Sequence, residues 1–328
     1  MKNSPSFYGE TPAFLHALAQ TGPMLRLKKI GMNCGCEYTR FPRFRKLGEY
    51  SRWAHSLGTA RIVWKFTGDK VQSTAALFHD IATPTFAHSI DFLRGDSLHQ
   101  ETTESGTASL ILESGEIRRE LARWEIPAED VLDYHRYPIA DNDAPGLSAD
   151  RLEYTLGNLL NYKLRPLTPL RLYYQALTVA ENESGAPELA FSDMAAAIDF
   201  GFDALACSRI YVSEEDRYSM QMLAELLQRA LDRGVLNEGD LMGTEPNLIL
   251  KLEADSLCKS EWAAFRAMKE LVREEDAPEE KRRIIYAKKR YIDPLIRGRG
   301  RLSQVCPPFA EELRRFLNED QSTWICAR

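Results

Sequence analysis

The sequence predicts an all-α protein with a small N-terminal β-hairpin and a helical C-terminal half. Three observations carry that expectation. From Tyr50 onward apolar residues recur three and four positions apart, the spacing that lines one face of a helix. Strand patterns do not alternate with helical ones, which argues against a doubly wound parallel sheet. Glycine, proline and capping residues stand where such helices would begin and end.

The elements follow in order. Residues 25–29 and 37–41 are short runs flanking Asn33-Cys34-Gly35, a turn-like triplet, and read as the hairpin. Trp53, Leu57, Ala60 and Trp64 share one face of a helix that Gly68 closes. Ala75, Ala76, Leu77, Phe78 and Ile81 belong to a strongly apolar helix that stops before Pro84. A short helix over 86–93 ends at Gly95, and helical patterns continue over 103–114 and 116–124. The stretch Asp141-Asn142-Asp143-Ala144-Pro145-Gly146 is rich in turn formers. Ser148, just behind it, is placed to cap a helix running from 149 to about 162. Amphipathic helices follow over 193–208, 214–233, 248–258 and 261–274, with Gly234 as the C-cap glycine of the second. The chain is read as two parts, residues 1–165 with the hairpin and the first helices, and residues 166–328, a helical region packed on them.

Composition narrows the class. The chain has 328 residues, 44% of them hydrophobic and 27% charged, the balance of a soluble globular protein. No apolar run reaches the length of a membrane span. Met1-Lys2-Asn3-Ser4-Pro5-Ser6 lacks the apolar stretch of a secretory signal. The expectation is a cytoplasmic protein whose six cysteines are reduced thiols. Cys34-Gly35-Cys36 does not have a zinc spacing. The net charge of -6 argues weakly against a dedicated nucleic-acid binder.

The histidines are unevenly spread. Of six, His55, His79, His88 and His99 fall within one short stretch. Histidine is the commonest metal ligand and titrates near neutrality. His79 and Asp80 are adjacent at the end of the most apolar helix of the region, so both approach the core. A buried carboxylate must be paired or bind a metal. His55, from the preceding helix, can supply a third ligand. Asp150, in the first turn behind the cap at Ser148, is the best fourth, since a negative charge there also suits a helix N-terminus.

At these residues the sequence resembles a known family. His55, His79-Asp80 and Asp150 follow the H…HD…D order of the HD-domain metal-dependent phosphohydrolases. The segments around them extend the likeness. Tyr50-Ser51-Arg52-Trp53-Ala54-His55-Ser56-Leu57-Gly58 resembles the N-R-F-E-H-S-L-G segment of deoxynucleoside triphosphate triphosphohydrolases. His79-Asp80-Ile81-Ala82-Thr83-Pro84-Thr85-Phe86-Ala87-His88 resembles their H-D-x-G-H-x-P-F-x-H segment, and Asp150-Arg151-Leu152-Glu153-Tyr154 their D-K/R-x-D-Y segment. His99-Gln100-Glu101 stands where that family has a further active-site histidine.

The resemblance implies an HD-domain helical core and a divalent metal ion (Mn, Fe, Mg, Zn or Ni) held by His55, His79, Asp80 and Asp150. It implies a nucleotide substrate, cleaved to deoxynucleoside plus triphosphate. Arg52, with a fork that grips two oxygens at once, would contact phosphate. Arg151 and Tyr154 would lie with it, and His88 and His99 would line the phosphate site beside Asp80 as proton-transfer groups. His88 could instead merely pair with Asp91, three residues on. His16 and His135 read as surface or local structural histidines. Assembly into a homo-oligomer is compatible with the family.

The chain also departs from that pattern. Thr83 stands where the family carries a catalytic histidine, Ala54 replaces an acidic residue, and Asn158 falls about where an acidic residue follows the tyrosine. The metal ligands are intact while the acid–base apparatus is altered. Alternatives therefore stand beside the triphosphohydrolase reading: hydrolysis of another nucleotide or phosphate ester, or a nucleotide-binding regulatory protein with little turnover.

Residues 281–301 carry nine Lys or Arg against one acidic residue, Asp293. One reading is a solvated face balanced by the acidic run before it. In the other, Arg283, Tyr286 and Lys289 face the substrate phosphates, matching a basic, tyrosine-bearing helix of the family, and Arg297, Arg299 and Arg301 form a flexible anion-binding loop. Single-stranded nucleic acid is a less favoured occupant.

Overall fold

A computed structural model describes residues 6–98, 106–273 and 283–327. Its helices begin where the sequence offers caps. In the first half they are α1 (Ala13–Ala19), α2 (Gly22–Arg26), α3 (Arg52–Thr67), α4 (Lys70–Phe78), α5 (Ser89–Leu93), α6 (Thr107–Glu113), α7 (Gly115–Arg123) and α8 (Ala149–Asn161). The second half adds α9 (Leu167–Gln175), α10 (Met194–Tyr211), α11 (Glu214–Asp232), α12 (Glu238–Leu241), α13 (Glu245–Ala254), α14 (Ser256–Ala267), α15 (Leu302–Val305) and α16 (Pro307–Leu317). Among the described residues no helix is long and apolar enough to cross a membrane.

Two apolar clusters fill the interior. The larger joins α1, α3, α4, α7 and α8 to α9, α10 and α16. The smaller joins α11, α13 and α14 to residues 34–44 and 86–92. The site lies where the two meet, because the segments carrying Cys34 and His88 leave one cluster and return beside α3 of the other.

The N-terminal hairpin is not formed. Met24, Leu27 and Ile30 are all buried and three apart, a helical rather than an alternating pattern. They lie on α2 and on a 3-10 turn, Leu27–Lys29, and its C-cap. Cys34 (φ 54°) and Gly35 (φ 85°) are left-handed and lead into a second 3-10 turn, Cys36–Tyr38, so no return strand follows.

Strands occur in the second half instead. β1 (Leu177–Glu181) and β2 (Pro187–Phe191) pair antiparallel around Asn182, whose Oδ1 accepts the N–H groups of Ser184 and Ala186. β3 (Leu271–Val272) pairs separately with β6 (Cys326–Ala327). β4 (Leu295–Ile296) adds parallel to β2, and β5 (Gly300–Arg301) antiparallel to β4. The last expected helix pair breaks at Asp255, which caps α14 by accepting from Leu257 and Cys258. Residues 283–294 contain no helix.

Candidate metal and phosphate site

Three helix ends position the ligands. Ser51 caps α3 by accepting the Ala54 N–H, which sets Arg52 and His55 three apart in the first turn. α4 ends at Phe78, so His79 is its C-cap and Asp80 enters the following turn. That turn is closed by the Thr83 N–H on the Asp80 carbonyl (2.9 Å) and clamped by Arg26, whose Nη2 donates to the Ile81 and Thr83 carbonyls at 2.9 and 2.7 Å. Ser148 caps α8 as expected and puts Asp150 in its first turn.

The side chains converge. His55 Nε2 lies 3.1 Å from His79 Nε2, 3.0 Å from Asp150 Oδ1 and 3.7 Å from Asp80 Oδ2. His79 Nε2 lies 3.5 Å from both Asp80 Oδ2 and Asp150 Oδ1. Around an ion with bonds of about 2.1 Å, neighbouring ligand atoms stand about 3.0–3.4 Å apart. His55, His79 and Asp80 form a buried cluster able to hold a metal ion.

The hydrogen bonds say which atoms are offered. His55 Nδ1 faces Glu153 Oε2 at 2.6 Å, and His79 Nδ1 faces the Ala76 carbonyl at 2.7 Å. Each Nδ1 must carry its proton to make that bond, so each neutral imidazole turns a lone pair at Nε2 toward the other. Two lone pairs and two carboxylate oxygens in one small volume repel unless a cation or proton sits among them. Burial opposes a charge on His55, yet its bonds to Asp150 and Glu153 push its pKa up to about 10. Burial likewise opposes ionisation of Asp150, but His55 and His79 hold it down to about 2. Asp80 is held well below the usual carboxylate range against its burial, chiefly by Arg52. The donor set fits a divalent cation.

Glu153 is a functional residue that the sequence reading missed. It is fully buried and accepts from both His55 and Tyr50, whose hydroxyl lies 2.6 Å away. The signal was its position three residues after Asp150, on the same helix face.

The cluster forms the floor of a cavity of about 510 Å³. Arg52, His88, Arg151 and Tyr154, which the sequence reading assigned to the phosphate site, all reach its lining. Arg52 Nη1 is bonded to Asp80 Oδ2 at 2.9 Å, so this arginine first holds a carboxylate of the cluster. Its Nε is buried without a partner among the described residues. His88 Nδ1 pairs with the fully buried Asp91 at 2.8 Å. Burial lowers the His88 pKa, with Arg290 and Arg52 adding to the shift and Asp91 opposing it. Arg151 is drawn to the turn before α8, donating to Asn142 Oδ1 and the Gly146 carbonyl at 2.7 and 3.1 Å. Tyr154 lies between His55 and Tyr211, with ring centroids 6.5 and 6.1 Å away.

Other expectations are not met. Tyr286 is 48% exposed and outside the cavity. Lys289 caps the end of α16, its Nζ donating to the Leu317 carbonyl at 2.7 Å. No helix forms here, so the helical spacing that would group Arg283, Tyr286 and Lys289 does not apply. Lys288 and Arg290 line the cavity in place of Lys289. Arg283, expected to face the phosphates, pairs with Glu225 at 2.8 Å, and Arg301, expected in an anion-binding loop, is buried against Glu183 and Glu188. His135, read as a surface or local residue, lines the cavity and bonds Asp141 at 2.9 Å. His99 and the start of the basic run lie outside the described residues.

No family model matches the chain. It is 24% identical over 262 residues to the uncharacterized protein YdhJ of Bacillus subtilis strain 168, across 77% of this chain and 76% of that one. Its fold matches that of a phosphohydrolase from Bacteroides thetaiotaomicron VPI-5482, with a TM-score of 0.66, 14% identity and coverage of 99% and 98% of the two chains. A hypothetical protein from Aquifex aeolicus matches with a TM-score of 0.64, 16% identity and coverage of 99% and 94%. At such identities the likeness establishes the fold. The chain has a fold that a phosphohydrolase also uses, built around a His-His-Asp cluster able to hold a metal ion.

Proposed function

We propose that this chain is a metal-dependent phosphohydrolase of the HD-domain class that acts on nucleotides, with deoxynucleoside triphosphates as leading substrates. One observation carries the reading: four acceptor atoms, none carrying a proton once both histidines are neutral, converge beneath a cavity that Arg52, Lys288 and Arg290 also line. A bound divalent ion would polarise a phosphoryl oxygen and make a bound water more acidic. Arg52 holds Asp80 while presenting positive charge to phosphate. In a triphosphohydrolase reaction water attacks the α-phosphorus and the nucleoside 5′-oxygen departs, which needs a proton.

Thr83 cannot give that proton at neutral pH, and its hydroxyl donates to Asp80 Oδ1 at 2.8 Å. His88, seated on Asp91, is the acid in this scheme. Incubation with Mn²⁺ and each dNTP tests the reading. Release of deoxynucleoside and triphosphate supports it. A nucleoside monophosphate product leaves the wider phosphohydrolase reading and removes the specific one. The Thr83 bond also favours a second reading, a nucleotide-binding regulatory protein with little turnover. That reading expects nucleotide to raise the melting temperature without any hydrolysis.

A further inference from the structure

Two polar side chains in the cavity are not used by the metal or phosphate chemistry. Asn33 is 6% exposed and Asp216 is 8% exposed, and both line the cavity. Cys36 ties them together, donating its N–H to the Asn33 carbonyl at 2.9 Å and its thiol to Asp216 Oδ1 at 3.7 Å.

The orientation of Asn33 can be worked out from the backbone. The Gly48 N–H donates to Asn161 Oδ1 at 3.0 Å, so that atom is an oxygen. Asn161 Nδ2 then donates to Asn33 Oδ1 at 2.9 Å. What remains is the Asn33 amide Nδ2, a donor. Asp216 likewise has Oδ1 engaged by Cys36, leaving Oδ2 for the cavity. Burial pushes the Asp216 carboxyl up to about 8, with Cys36 and Arg43 opposing and Glu215 adding. A carboxyl so raised can hold a proton on the oxygen that Cys36 leaves free, which is then also a donor. Met32, Cys34 and Met220, which also line the cavity, offer soft apolar surface for a flat ring.

A carbonyl oxygen has two lone pairs and accepts from two donors at once. An exocyclic amine accepts from neither. We propose that Asn33 and Asp216 form the base-reading end of the cavity and select a base that presents a carbonyl oxygen, as guanine and thymine do, over adenine. This rests on the nucleotide reading above and names its substrate class.

The test compares kcat/KM for dGTP and dTTP with that for dATP, with Mn²⁺, in the full chain and its variants. Leaving a buried donor pair unmatched should cost dATP at least about tenfold. Asp216→Asn keeps a donor toward the cavity and an oxygen toward Cys36, so it should keep the ratio. Asp216→Ala and Asn33→Ala should each bring the ratio toward one. Thermal shifts by free deoxyguanosine, thymidine and deoxyadenosine, without metal, should show the same order. Hydrolysis of all dNTPs at equal rates by the wild type would overturn the base-reading proposal and leave the nucleotide reading standing. An unchanged ratio in both alanine variants would do the same. No turnover and no shift with any nucleotide or nucleoside would remove both.

Discussion

The cluster of His55, His79, Asp80 and Asp150 and the basic segment over residues 283–301 are both strongly charged, yet they were unequally readable. In the cluster, each side chain's place follows from helix geometry: a cap at Ser51, a helix end at Phe78 and a cap at Ser148. In the basic segment, charge alone does not say which side chain faces which partner. Three of its cations turn inward: Arg283 to Glu225, Lys289 to carbonyls at the end of α16, and Arg301 to Glu183 and Glu188. Only spacing that a regular element preserves can be turned into a position.

Five substitutions, two of them compared as a pair, would break or sharpen that contrast. Asp80→Ala should have the largest effect. It removes a ligand and leaves Arg52 without its carboxylate, so bound metal should disappear by elemental analysis and hydrolysis should fall by at least about 10³-fold. Retained metal would undo the assignment of the cluster. Arg301→Ala comes next and should act on stability alone. It strands the buried Glu188, which also accepts the Leu147 N–H at 2.9 Å, so denaturant unfolding should show a loss of about 3–5 kcal/mol. An unchanged midpoint would return this arginine to the anion-binding reading.

A paired comparison follows. Arg290→Ala should raise KM for a phosphorylated substrate by about tenfold, since it removes one charged contact. Lys289→Ala should leave KM within about twofold, because Lys289 is turned to α16. Equal effects would mean that the segment does not turn its neighbouring cations to different partners.

The smallest effect lies outside both regions. Glu37 is pushed up to about 8 by burial and by Glu245, and its Oε2 is buried without a partner among the described residues. A carboxyl raised in the folded state weakens the fold as pH climbs from its unfolded value near 4.5 to about 8, and no further above that. Glu37→Gln should therefore stabilise the protein by about 1 kcal/mol at pH 8.5, and that gain should vanish by about pH 4. A gain that is the same at both pH values would exclude the linkage.

Much of the helical plan was legible. Gly68 and Gly234 are left-handed beyond the ends of α3 and α11, and Ser148 caps α8. The expected hairpin failed because three-residue burial at Met24, Leu27 and Ile30 was outweighed by the turn-like Asn33-Cys34-Gly35. The real hairpin, β1 and β2, went unread because its turn is set by one side chain, Asn182, bonding its own backbone. At the site, the four converging side chains (His55, His79, Asp80 and Asp150) and four cavity residues could be found from ordered motifs. Asn33, Asp216, Lys288 and His135 could not, since they reach the cavity from distant segments that only tertiary packing joins.

The crossing of α3 and α8 sets a limit of volume on this chemistry. A Cβ on Gly58 would stand 2.5 Å from Glu153 Oε1, and one on Gly157 would stand 2.2 Å from the Tyr50 hydroxyl. Both helices lie so close that the carboxylate orienting His55 occupies space a single methyl group would claim. Two missing carbon atoms, one on each helix, are therefore as much a part of the ligand geometry as the imidazole that they let turn.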